Sequence, residues 1–247
     1  MIEYEQRGQA AWITLDRPEK LNALTMDGWV DLRDAVQRAS DETRVAVVTG
    51  AGEAFCAGDD IGIFENFEDV ETLETLGDRI FDVVRAIEDA RVPVIAAADG
   101  DAHGGGFEVL SACDVAVAAE SAAFSLPETR IGVIPGVAIS RVAEFGGRKR
   151  AMELMLGADP VDAETAREWG LVNRTVPADD VEATVEEYVE AVCRSPEHAI
   201  AVTKRQATGV DEHRERLVGG LARVFMGEDA WEGIEAFNEG RDPEFGE

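Results

Sequence analysis

Three short runs, Val45–Thr49, Val94–Ala98 and Val115–Ala119, constrain this chain most, because each is apolar almost without interruption instead of alternating. Strands that read this way are covered on both faces, as in a parallel sheet flanked by helices. The neighbouring segments supply the rest of an α/β pattern. Ile2 to Gln6 and Ala10 to Leu15 form a predicted hairpin around Arg7-Gly8. Thr25 to Ser40 has the helical period, with Trp29, Leu32, Val36 and Ala39 on one face. Val70 to Ala90 repeats it through Leu73, Leu76, Ile80, Val84 and Ile87. Beyond Gly136 the pattern is helical, apart from a short predicted strand near Val172 to Val176. No repeat or low-complexity linker divides the chain, and 247 residues, 45% of them hydrophobic, suffice for the core of one domain or of a domain with a tail.

Composition excludes several functions. Acidic residues number 51 against 23 basic ones, for a net charge of -28, and the excess is spread along the chain. A nucleic-acid role needs a basic face that this field opposes. The basic residues are arginines apart from Lys20, Lys149 and Lys204. An acidic, lysine-poor chain suits a cell of high internal salt, where ions screen self-repulsion within a few ångströms. Cys56, Cys113 and Cys193 lie far apart, as do His103, His198 and His213, so neither a disulfide framework nor a metal site is expected. No stretch is long and apolar enough for a membrane span, and MIEYEQRGQA contains no cleavable apolar segment, so the expected location is the cytoplasm.

Chemistry concentrates in two glycine-bearing loops, each following a predicted buried strand. The first runs from Gly52 to Ile61 and the second from Gly100 to Glu108. Beyond the carboxyl ends of parallel strands lie the crevices where ligands bind. The triplet Gly104-Gly105-Gly106 lets the backbone approach a ligand closely, and the helix it opens presents unpaired N–H groups. Glu108, three residues after Gly105, returns to the same side of that first turn.

Each feature also has an ordinary reading. A glutamate in a first helical turn is favoured by capping and by the helix dipole, so position alone leaves Glu108 open between a structural and a chemical role. Asp59 and Asp60 suit a plain turn. Glu128, after Pro127, reads as a solvated loop carboxylate. Cys56 reads as a small buried hydrophobe, and His103 either lines a pocket or caps the loop. Gly50-Ala51-Gly52 lacks the third glycine of a dinucleotide fingerprint.

Taken together, AFCAGDDI (Ala54 to Ile61), DGDAHGGGFEVLSACD (Asp99 to Asp114) and LPETRIGVIPG (Leu126 to Gly136) resemble, in order and spacing, the signature segments of the crotonase superfamily, the enoyl-CoA hydratases and isomerases. DRPEKLNAL (Asp16 to Leu24) resembles that family's early CoA-contacting loop, and AREWGLVNRTV (Ala166 to Val176) a later helix-strand step. EDAWEGIEAFNEGRDPEF (Glu228 to Phe245) resembles its C-terminal helix and tail.

The resemblance implies a spiral of ββα units over residues 1–195 and a C-terminal helical region for trimerisation over 196–247. It places the amides of Asp59 and Gly105 on a thioester carbonyl oxygen, as an oxyanion hole, and makes Glu108 and Glu128 the acid/base pair. Leu21, Ala23, Ala57, Gly58, Asp60, Ile61, His103, Gly104, Pro127 and Ile131 would line the CoA and acyl site. The implied activity is enoyl-CoA hydration. Isomerisation or other acyl-CoA chemistry is the alternative, and a non-catalytic acyl-CoA-binding role a further one. No separate cofactor is implied, since coenzyme A belongs to the substrate, and the implied assembly is a homotrimer or a dimer of trimers. One electrostatic condition follows: the Asp59 carboxylate must point away from an enolate whose charge its own amide stabilises.

Overall fold

The computed structural model describes residues 1–65, 70–131 and 133–207, together with 232, 236, 239, 241 and 244. The chain opens with the predicted hairpin, β1 (Ile2–Arg7) against β2 (Ala10–Leu15), antiparallel and turned at Gly8 with φ +60°. Helix α1 (Met26–Glu42) follows. Thr25 Oγ1 accepts the Gly28 N–H at 3.0 Å, a cap worth about 1 kcal/mol. Its apolar face buries Trp29, Leu32, Val36 and Ala39. Full burial of each larger side chain contributes about 1.5–3 kcal/mol.

Then come β3 (Val45–Gly50), β4 (Ala54–Cys56), α2 (Gly62–Glu65), α3 (Val70–Asp89), β5 (Val94–Ala98), β6 (Asp101–His103), α4 (Gly105–Ala112), β7 (Val115–Ala119) and β8 (Ala123–Ser125). A 3-10 turn at Glu128–Ile131 leads into α5 (Ala138–Gly146) and α6 (Arg148–Gly157). The chain continues through β9 (Val161–Asp162), α7 (Ala163–Glu168), β10 (Arg174–Val176), α8 (Val181–Cys193) and α9 (Glu197–Ala207).

The five long strands and the short β10 form a six-stranded sheet, β1-β2-β3-β5-β7-β10, parallel from β2 onward. The short ones form a second sheet, β4-β6-β8-β9. Each of β3, β5 and β7 therefore hands the chain to a short partner in the other sheet, and helices lead back: this is the expected spiral of ββα units. Both loops that the sequence presents as coil contain one of these three-residue strands, and β9 interrupts what reads as a helical region. Phe55, Phe107 and Phe124 are fully buried, with the rings of Phe107 and Phe124 5.6 Å apart. On α3, Leu76, Val84 and Ile87 face the core with Val83, and Ile80 packs against its edge, whereas the Leu73 side chain lies outside the described residues.

Of the C-terminal region, α9 is described, and most of the Glu228 to Phe245 segment lies outside the described residues. Helix α9 is fixed to the sheet by Lys204, 7% exposed. Its ammonium donates to the carbonyls of Ile87 at 2.7 Å and Val92 at 3.0 Å and pairs with Asp114 at 2.6 Å. Asp114 also accepts the N–H of Val94 at 2.7 Å, so the tether grips the starts of β5 and β7.

Candidate active site

The two glycine loops cross with backbone against backbone. A Cβ on Gly58, whose φ is +99°, would stand 2.9 Å from the carbonyl oxygen of His103 and 3.1 Å from the nitrogen of Gly105. One on Gly106 would meet the Cys56 carbonyl at 2.2 Å, and one on Gly100 the Glu53 carbonyl at 2.1 Å. No side chain fits these places, which is why the sequence has glycine there.

A third segment braces the crossing. Leu24 donates to the Gly58 carbonyl at 2.8 Å, Asp60 to that of Leu24 at 2.9 Å, and Ala57 to that of Leu21 at 2.9 Å. Asn22, fully buried with φ +59°, holds this segment from within: its side chain accepts the Arg17 N–H at 3.0 Å and donates to Ala51 and Ala54 carbonyls at 2.9 and 2.7 Å. Nothing in the sequence pattern marks Asn22 as a site residue. Its signal was the residue type, since asparagine tolerates the left-handed conformation this bend requires.

Gly105 is the first residue of α4, and Gly104 precedes it with φ +50°. Among the described residues neither the Asp59 nor the Gly105 N–H donates to a backbone carbonyl. The bridge between Leu24 and Asp59 holds the Asp59 backbone in place. Two amides at the loop crossing thus have no backbone acceptor: that of Asp59 faces its own carboxylate, and that of Gly105 has the dipole of α4 behind it.

Carboxyl groups surround this point. Glu108 is 2% exposed and does not cap its own helix; its carboxylate accepts the N–H of Ala138 at the start of α5, 3.2 Å away. Burial pushes its pKa up to about 7. The charges of Glu128 and Asp59 push the same way, against the Ala138 and Gly136 amides. Glu128 is half-buried, not solvated. Its Oε1 lies 3.3 Å from where a Gly104 Cβ would stand, and its Oε2 is buried with no hydrogen-bond partner among the described residues. Burial raises the Glu128 pKa, with the Asp59 charge adding to the rise and its own amide opposing it. A buried carboxyl group whose pKa lies near neutrality, as that of Glu108 does, is suited to proton transfer.

Asp59 is half-buried, and its carboxylate accepts the indole N–H of Trp29 at 2.8 Å. Burial raises its pKa, and the Trp29 bond and the residue's own amide act against that rise. The Asp60 carboxylate turns instead to Arg17 and accepts the Gly62 N–H at 2.8 Å, as a turn aspartate does. Its pKa is lowered chiefly by Arg17. Cys56 is buried, its thiol pushed up to about 12 by burial, and it is no nucleophile.

Of the remaining expected lining residues, Ala23 is buried, Ala57 and Pro127 are half-buried, and Leu21 and Ile61 are 51% and 59% exposed. Leu21 and Ile61 project from two of the three joined segments, an arrangement fit for the rim of a site. The ring of His103 engages Ser125 Oγ at 2.8 Å, tying β6 to β8. The side chain of Ile131 lies outside the described residues. Among the described residues no group of His, Cys, Asp and Glu has a metal-binding arrangement, and no helix is long and apolar enough to cross a membrane.

The chain is similar along its length to known proteins of one family. The sequence model of the enoyl-CoA hydratase/isomerase family matches residues 5–247. A crotonyl-CoA hydratase of Syntrophomonas wolfei is 31% identical over 255 residues, which span 99% of this chain and 97% of that protein. A carnitinyl-CoA dehydratase of Proteus mirabilis is 32% identical over 252 residues, 97% of this chain and 95% of that one. The crystal structure of an enoyl-CoA hydratase from Mycobacterium smegmatis superposes with a TM-score of 0.94 at 30% identity, over 98% of each chain.

Proposed function

The chain belongs to the enoyl-CoA hydratase/isomerase family, and on that premise we propose that it adds water across the 2,3 double bond of an enoyl-CoA thioester. The observation that carries this reading is the pair of carboxyl groups, Glu108 and Glu128, both raised in pKa and both set against the crossing of the glycine loops. In the proposed reaction the thioester oxygen accepts the N–H groups of Asp59 and Gly105. Water oxygen bonds to C3 as one glutamate takes its proton, the double-bond electrons move onto the thioester oxygen, and the resulting enolate collects a proton at C2 from the other glutamate. Each preorganised amide is worth about 2.7–4 kcal/mol in such a step, and a positioned acid or base about 100- to 10,000-fold in rate. Leu21, Ala23, Ala57, Ile61 and Pro127 are proposed to line the CoA and acyl path.

The proposal extends to a homotrimer or dimer of trimers working in the cytoplasm. Exposed apolar side chains on α5 and α6, among them Phe145, Met152 and Leu156, support self-association, since such surface favours burial against another copy. Sedimentation measures the mass.

The activity is tested by the loss of conjugated-enoyl absorbance from crotonyl-CoA in molar KCl, beside Glu108→Gln and Glu128→Gln. Rapid loss in the parent protein, reduced at least 100-fold by either substitution, is expected. A folded protein that binds CoA but leaves the absorbance unchanged would contradict hydration of this substrate. Conversion of a 3-enoyl-CoA instead would assign the chain to isomerisation.

A further inference from the structure

Trp29 and Asp59 form a contact that the proposed reaction leaves unused. The Trp29 ring, on α1, is fully buried, yet its N–H reaches the Asp59 carboxylate at 2.8 Å. The same two side chains wall Gly105: a Cβ there would meet Trp29 Cζ2 at 2.8 Å and Asp59 Oδ2 at 3.2 Å. A third carboxyl group therefore stands beside the Gly105 amide, on the residue that owns the other amide and facing it. An ionised carboxylate in that place repels charge developing on an oxygen bound between the amides. A hydrogen bond from the indole withdraws part of that charge and fixes its direction.

We propose that Trp29 is a positioning residue: by holding the Asp59 carboxyl against the wall of Gly105, it keeps that group off the oxygen bound by the two amides, so that an enolate forms where an unrestrained Asp59 would oppose it. The inference rests on the reading of these amides as an oxyanion hole. The other titratable groups that sense Asp59 are Glu108 on α4, Glu128 in the 3-10 turn and Cys56 on β4, while the adjacent Asp60 is neutralised by Arg17. No cation shares the Asp59 carboxyl among the described residues; its partners are the indole N–H and its own amide, so the indole is the one side chain that draws it away from that amide.

Acetoacetyl-CoA provides a test without turnover, because loss of its C2 proton gives an enolate with its own ultraviolet absorbance. The quantity read is the pH at which the protein-bound ligand ionises, in the parent, Trp29→Phe, Asp59→Asn and the double variant. Asp59→Asn is expected to lower that pH by about one unit, through removal of a like charge, and Trp29→Phe to raise it. In the double variant the effect of Trp29→Phe is expected to vanish, since a neutral side chain needs no restraint. An equal Trp29→Phe shift with and without Asp59 overturns the inference and leaves Trp29 a packing residue.

Because Trp29→Phe alters the core, a second measurement on Asp59→Asn alone guards against misfolding. In the parent, the indole N–H resonance displaced by Asp59→Asn is expected to titrate with Asp59; a resonance insensitive to both overturns the proposal. The expected shifts without any crotonyl-CoA hydration would refute the hydratase reading and retain the positioning role. Hydration without a differential shift would refute the positioning role alone, and failure of the folded protein to bind acetoacetyl-CoA refutes the oxyanion reading under both.

Discussion

The Glu108 carboxylate accepts the backbone N–H of Ala138 at 3.2 Å, across 30 residues of sequence. This bond joins the start of α5 to the first turn of α4 and, with the Gly136 amide, orients a buried carboxyl. Burial and the two neighbouring carboxyl groups make its proton hard to remove, so the folded chain binds that proton more tightly than the unfolded chain does.

A stability difference follows directly. The ordinary value for the group is 4.5 and the folded value is about 7, so protonated Glu108 costs the fold nothing extra below the first. Stability is lost as pH rises between the two and is lowest, as far as this group contributes, above the second. Glu108→Gln is expected to match the parent near pH 4.5 and to exceed it above pH 7, by on the order of 3 kcal/mol at most. Denaturant unfolding at pH 5 and pH 8 checks this; an equal difference at both values would refute the assignment of the shift to Glu108.

Gly136 offers a gentler probe of the same carboxyl. A Cβ there would stand 3.0 Å from Glu108 Oε1 and 3.3 Å from Oε2, close enough to displace a side-chain end without touching backbone. Gly136→Ala is expected to keep the thermal midpoint within a few degrees while lowering the hydration rate about tenfold, as a carboxylate moves out of alignment. Unchanged rates across the pH range would show that the Glu108 position tolerates movement.

Lys204 holds α9 to the sheet through a nearly buried ion pair with Asp114. Loss of one partner leaves the other desolvated, so Lys204→Met is expected to cost about 3 kcal/mol or more by urea unfolding. A change under 1 kcal/mol would mean that the pair contributes little beyond packing.

The charge of -28 predicts that salt raises the unfolding temperature. Potassium chloride between 0.1 and 2 M screens self-repulsion at lengths from about 10 Å to a few ångströms, and the midpoint is expected to climb throughout that range. A midpoint as high in dilute buffer as in molar salt would overturn the expectation of a high-salt habitat.

The parts of this molecule legible in its sequence are those whose residues act in long, periodic sets. The hairpin, α1, α3 and the buried strands β3, β5 and β7 announce themselves because five or more residues repeat one environment. Ala54–Cys56, Asp101–His103, Ala123–Ser125 and Val161–Asp162 are too short to establish a period, and they pair only because the longer strands deliver them to one another. The second sheet was therefore invisible until the first was built. Within the site, the glycines and Glu108 stood out by type and spacing. The contacts of Asn22 and Trp29 did not, because an asparagine whose side chain bonds three residues and a core tryptophan with one polar contact look ordinary in a string of letters.

At Gly100 and Gly106 main chain rests directly on main chain, and at Gly58 the same is true of the loops that hold the Asp59 and Gly105 amides. Such a joint has no hinge. In the proposed reaction the configurational entropy of bringing two N–H groups to bear on one oxygen is lost once, when the chain folds, and is not lost again at each turnover. Adaptation to a new acyl group is thereby directed away from the joint, to side chains at its margin such as Leu21 and Ile61, where replacements leave the amides undisturbed.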